Sequence, residues 1–140
     1  MLKLVGLALR AGKLEVGEDA VADACQYRKA RLLLIAADAA EKSVSRALHA
    51  ADESGCVPLM APWSKEELGA ALGRKSCAVA AVTDLGLAQA VVEKLAETDE
   101  ERYGEAAGRL RRKAERLAER KEKTAKQQGG QKRPAKYRKK

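Results

Sequence analysis

Arg31-Leu32-Leu33-Leu34-Ile35-Ala36 is the stretch on which the fold turns. It is apolar without interruption, only about one strand long, and shows no two-residue alternation. That pattern belongs to a strand buried on both faces of a sheet. A second run, Ala78-Val79-Ala80-Ala81-Val82-Thr83, has the same character. Cys56-Val57-Pro58-Leu59-Met60 is a third, and its Pro58, which lacks a backbone donor, suits a sheet edge or a strand start. Lys13 to Val16 is a shorter extended piece.

Helical segments fill the spaces between these runs. Leu2 to Ala11 has helical apolar spacing and ends at Gly12, a residue that tolerates the left-handed position after a helix. Gly17 opens a second helix, with Glu18 and Asp19 in the first turn, where the helix dipole favours anions. Glu41 to Ser54 reads as a third, closed by Gly55. Ser64-Lys65-Glu66-Glu67 is a capping box that opens a fourth, ending near Gly73, and Asp84 to Glu97 is a fifth. Strands alternating with helices predict an α/β/α sandwich around a buried central sheet. The pattern does not carry the strand order.

Charge divides the chain. Through Glu97 there are 12 Lys and Arg against 13 Asp and Glu; from Thr98 onward there are 16 against 7, so the whole excess lies in the last third. From Arg109 to Lys140 the tally is 15 against 3, a density that repels itself, resists burial and attracts polyanions. The partner such a segment points to is a nucleic acid gripped by its phosphates. Thr98-Asp99-Glu100-Glu101 has the form of another capping box. Tyr103, Ala107, Leu110, Ala114 and Leu117 then recur at alternating spacings of four and three, a heptad-like seam. The seam is thin, and Gly104 and Gly108 each cost a helix about 1 kcal/mol, so the expectation is a long charged helix docked weakly or not at all. The expected organisation is a folded domain over 1–97, a charged helical extension over 98–128 and a basic, disordered tail over 129–140.

Several function classes fall away. The three cysteines, Cys25, Cys56 and Cys77, are odd in number and lack a C-x-x-C pair, which argues for buried free thiols in a reducing cytoplasm and against a disulfide framework or a zinc site. The apolar start is too short and too interrupted by Lys3 and Arg10 to span a membrane, so no membrane partner is expected. Gly69 to Ser76 has the look of a phosphate-binding P-loop, but Arg74 is inserted before Lys75 and the order is helix–loop–strand, the reverse of a P-loop. In this setting Gly69 allows a close approach of the helix to the sheet. Arg74, Lys75 and Ser76 read either as a solvated connector beside a helix C-terminus or as a nucleic-acid contact turn. His49, the single histidine, has no carboxylate or cysteine partner visible in the sequence, and no serine has the surroundings of an activated nucleophile. No catalytic residues, metal site or cofactor are expected. With Trp63 and the tyrosines scattered and Phe absent, a base-stacking sheet is not expected either.

Three segments in order carry a resemblance: Arg10-Ala11-Gly12-Lys13-Leu14 with Gly17-Glu18-Asp19; Leu33 to Ala39; and Val57-Pro58 with Ser64 to Gly73 and the strand to Val82. Over roughly residues 1–97 the chain resembles the ribosomal L7Ae, L30e, S12e and Gadd superfamily, closest to its bacterial YlxQ-type branch. The resemblance implies a three-layer α/β/α domain with a mixed four-stranded sheet. It also implies recognition of kink-turn RNA, a sharply bent duplex with tandem sheared G·A pairs. In the family a Gly-x-Asn-Glu stretch opens the second helix, a lysine follows four residues after the Asn, and a loop before the last strand closes over the bulged nucleotides. Here the glycine is Gly17, the Asn position is Asp19, the Glu position is Ala20 and the lysine position is Asp23. Gly12 and Lys13 match, while later basic positions are Glu15 and Val16. An ionised Asp19 accepts hydrogen bonds, including those of guanine amino groups, but cannot donate as an amide does. Asp23 places an anion where phosphates would approach.

The expected RNA-contacting set is Lys13, Gly17, Glu18, Asp19, Arg28, Ala37, Asp38, Arg74, Lys75 and Ser76, acting on a structured RNA with ribosomal RNA among the candidates. Ala37 and Asp38 enter this set through the resemblance. The rival expectation is a protein-interaction adaptor that uses the same fold and pairs helices through the seam of the extension.

Overall fold

The computed structural model describes residues 2–127, with side-chain surroundings described as far as residue 119. The elements in chain order are α1 (Leu2–Arg10), β1 (Leu14–Val16), α2 (Glu18–Gln26), β2 (Leu32–Ile35), α3 (Glu41–Ser54), β3 (Val57–Met60), α4 (Lys65–Ala71), β4 (Val79–Val82), α5 (Leu85–Thr98) and α6 (Glu100–Gln127). The four strands form one mixed sheet in the order β1-β4-β2-β3. β4 runs antiparallel to both β1 and β2, whereas β2 and β3 are parallel.

β2 and β4, the two uninterrupted apolar runs, occupy the centre, and every one of their residues is buried. Alternate side chains serve opposite faces. Leu32, Leu34, Ala80 and Val82 join a core with α1, α4, α5 and α6; Leu33, Ile35, Val79 and Ala81 join a second core with α2 and α3. The result is a three-layer α/β/α sandwich. The α2–α3 layer meets the sheet mainly through Val21, Ala24, Cys25, Ala47 and Ala51, small side chains that bring both helices close.

β3 is one of the two edge strands, and there Pro58 costs no ladder hydrogen bond to an outer neighbour. Its outer side is covered by α6. This corrects the expectation of a weakly docked helix: Tyr103, Ala107 and Leu110 are all buried in the first core, and the Tyr103 hydroxyl donates to the Met60 carbonyl at 3.4 Å. The edge itself supplies the reason, since an uncovered strand leaves unpaired polar groups that a helix can shield. Docking fades along the seam, with Ala114 and Leu117 only half-buried. The helix start differs as well. Thr98 closes α5, its hydroxyl donating to the Leu95 carbonyl, and Asp99 caps α6 by accepting the Arg102 N–H at 3.1 Å, so no capping box forms on Thr98. The Ser64 box does form, with Ser64 and Glu67 exchanging hydrogen bonds at 3.1 and 2.9 Å. The tail over 129–140 lies outside the described residues.

Candidate nucleic-acid interface

Strand direction decides which loops meet. Ile35 ends β2 opposite Val79, which begins β4, while Val16 ends β1 opposite Ala80 and Met60 ends β3 opposite Ile35. The segments that follow β1, β2 and β3 and the one that precedes β4 therefore share one end of the sheet. This end, called the recognition end after the RNA contacts expected from the sequence, gathers Gly17, Glu18, Asp19, Ala37, Asp38, Arg74, Lys75 and Ser76.

Gly17 turns the chain from β1 straight into α2. Its φ of 97° is a conformation that side-chain-bearing residues rarely adopt, and its N–H donates to the Val79 carbonyl at 3.1 Å. Gly17 offers no side chain to cap α2, so the first-turn N–H groups lack a side-chain acceptor. Glu18 is already engaged: its carboxylate accepts from Ser43 at 3.0 Å and from Arg46 at 3.2 Å, tying α2 to α3. Asp19 is exposed and forms no ion pair among the described residues.

Across from the tip of α2 stands the turn between α4 and β4. Gly73 takes a φ of 74°, Arg74 N–H donates to the Gly69 carbonyl at 2.8 Å, and Cys77 N–H donates to the Lys65 carbonyl at 2.9 Å. A Cβ on Gly69 would lie 2.6 Å from the Ser76 Cα and 2.7 Å from its nitrogen. Gly69 thus lets this turn, rather than the sheet, lie against α4. The turn is braced from both sides while Arg74, Lys75 and Ser76 stay exposed. The Cys77 thiol behind it donates to the Val79 carbonyl at 3.2 Å, and the Gly17 N–H donates to the same carbonyl at 3.1 Å, which places turn and helix tip side by side.

The segment after β2 completes the end. Ala37 N–H donates to the Trp63 carbonyl at 2.7 Å, and the Asp38 carboxylate accepts the Lys65 N–H at 2.7 Å. Asp38 is consequently a brace that holds the start of α4, and its charge is met by a first-turn amide.

Lys13 and Arg28 are not brought to this end. Lys13 precedes β1, its carbonyl accepting the Thr83 N–H at the far end of the sheet. Arg28 follows α2, with a φ of 57°, and donates to the Ser54 carbonyl at the C-terminus of α3. Lys42 and Lys65, which the sequence reading did not select, open α3 and α4 at the recognition end, and Arg46 follows one turn on. The signal for them is topological: a helix following a strand that ends here must start here, which strand order alone reveals.

Among the described residues no group of three or more His, Cys, Asp or Glu side chains is placed to hold a metal, and no helix is long and apolar enough to cross a membrane. The seam that the adaptor reading relied on is spent on α5 and β3 as far as Leu110.

The sequence pattern of the ribosomal protein L7Ae/L30e/S12e/Gadd45 family matches residues 1–92. The chain is similar to the RNA-binding protein YlxQ of Bacillus subtilis strain 168, with 33% identity over 96 residues that make up 66% of this chain and 91% of that protein. A solved structure from Bacillus halodurans, of a protein with unknown function, superposes with a TM-score of 0.61 at 28% identity, covering 66% of this chain and 92% of that one.

Proposed function

Because the chain belongs to the ribosomal protein L7Ae/L30e/S12e/Gadd45 family, we propose that it is a non-enzymatic RNA-binding protein of the cytoplasm. It recognises a bent, kink-turn-like structured RNA, ribosomal RNA among the candidates, at the recognition end. The observation that carries this reading is the pairing of the α2 tip with the braced Gly73–Cys77 turn, two rigid features that face one another with exposed hydrogen-bonding groups. The YlxQ relative, an RNA-binding protein, supports the ligand class.

Each side has a distinct task. The first-turn amides of α2 and the Asp19 carboxylate meet base edges, with Asp19 accepting from guanine amino groups. Arg74 and Lys75 meet phosphates on the other side of the bend, which positions the RNA without reading its sequence. Glu18 keeps the α2 tip rigid through Ser43 and Arg46. The basic residues toward the C-terminus add attraction that falls with salt.

The test is a titration of the full chain against a kink-turn RNA and a straight duplex of equal length at one salt concentration. The expected result is at least a tenfold preference for the bent RNA. Equal affinities would remove bent-RNA recognition.

A further inference from the structure

The opposite end of the sheet collects a different set of side chains. Arg28 donates to the Ser54 carbonyl at 3.4 Å and Lys113 to the Gly55 carbonyl at 2.9 Å, so two cations from distant elements meet the C-terminus of α3. Arg31 sits beside them, its carbonyl accepting the N–H of Val57. Arg109 lines a groove with Gly55, Cys56 and Pro58, and Arg116 continues the same face of α6. Arg109, Lys113 and Arg116 are spaced four and three apart, so they stand in one row about 10 Å long.

We propose that Arg28, Arg31, Arg109, Lys113 and Arg116 form a second RNA surface, which grips the phosphate backbone of a straight duplex while the recognition end holds the bent one. The chain would then hold two RNA segments at once.

The C-terminal carbonyls of α3 account for Arg28 and Lys113 alone. Arg31, Arg109 and Arg116 are exposed and form no ion pair among the described residues. One carboxylate, Asp52, shares the groove with Arg109. Burial lowers the pKa of Lys113, and Arg116, Arg109 and Arg31 lower it further. Cations crowded this way repel one another until an anion joins them. A row of charges matches a duplex, which presents one phosphate for every ~1.7 Å of its axis. The surface rests on the RNA-binding reading for its ligand class, but not on bent-RNA recognition.

The test uses the full chain carrying Arg31→Gln, Arg109→Gln and Arg116→Gln, three exposed positions whose loss leaves the Lys113 hydrogen bond intact. A control chain carries Lys3→Gln, Lys94→Gln and Arg111→Gln, removing equal charge elsewhere. For a straight duplex, the slope of log affinity against log salt should fall by about 2 to 3 in the first variant, at ~0.9 per phosphate contact, and by less than 1 in the control. With a short-armed kink-turn RNA immobilised, the wild-type chain should retain a labelled duplex that the first variant releases, while both hold the kink-turn within twofold. Equal slope changes in both variants, or full retention of the duplex by the first, would overturn the second surface. A lost preference for bent RNA with the slope difference intact would instead sink the recognition end and leave this surface standing.

Discussion

The two ends of the sheet solve opposite electrostatic problems. At the recognition end, cations and carboxylates are interleaved, and three of the carboxylates are occupied internally: Glu18 by Ser43 and Arg46, Asp38 by Lys65, Glu67 by Ser64. What remains is a rigid, nearly neutral outline, suited to reading shape. At the far end, Arg28, Arg31, Arg109, Lys113 and Arg116 cluster around one turn, with Asp52 sharing a groove with Arg109 and Glu53 sharing one with Arg28. That end is suited to holding charge of any sequence. On the proposed reading, specificity and attraction are separated by the length of the sheet.

The largest expected effect comes from Gly69→Val. Its side chain would collide with the backbone of Ser76, so the Gly73–Cys77 turn must move. Overpacking of this kind costs about 1–3 kcal/mol of stability. Bent-RNA affinity should fall more than tenfold in a binding titration, with straight-duplex affinity nearly unchanged. An equal loss for both RNAs would erase the distinction between the ends. Arg74→Ala combined with Lys75→Ala should follow, lowering bent-RNA affinity about tenfold through lost phosphate contacts and lowering the salt slope by about 2.

Removing residues 120–140 should weaken every RNA alike and flatten the salt dependence, because the segment holds ten Lys and Arg against one Glu. If bent-RNA preference collapsed instead, the arm would be reading structure. Asp19→Asn should strengthen bent-RNA binding a few-fold, since the amide keeps an acceptor for guanine amino groups, adds a donor and removes a negative charge from the interface with a polyanion. The smallest effect concerns stability at the far end. Burial pushes the Cys56 thiol up from 9.0 to about 11, against the hydrogen bond from Ser54, with Cys25 Sγ 4.0 Å away. The unfolded chain therefore releases this proton first. Stability should hold below pH 9 and decline toward pH 11, and Cys56→Ala should remove that part of the decline in an alkaline denaturation series.

Much of the fold could be read from local patterns. Leu32–Ile35 and Val79–Val82 declared themselves as central strands by being apolar on both faces, Pro58 marked the edge, and Gly55 and Ser64 set helix limits where they stand in the structure. Other features escaped because their causes are not local. Docking of α6 depends on the open edge of β3, which strand order creates, so the thin seam alone understated it. The candidate site was readable at Gly17–Asp19 and Arg74–Ser76 through the helix opening and the cationic turn. Lys13 and Arg28 have the right chemistry but follow from the wrong end of their elements, and Lys42 and Lys65 lack any motif. Gly69 offered a close approach in the sequence; only the structure shows that Ser76 is what approaches.

The most direct test is to cross-link the full chain to a bound kink-turn RNA by ultraviolet light and identify the attached peptides. The account predicts attachment within residues 17–26 and 73–77, with further attachment on α6 that disappears at high salt. Attachment confined to α6 and the segment between α2 and β2 would contradict it.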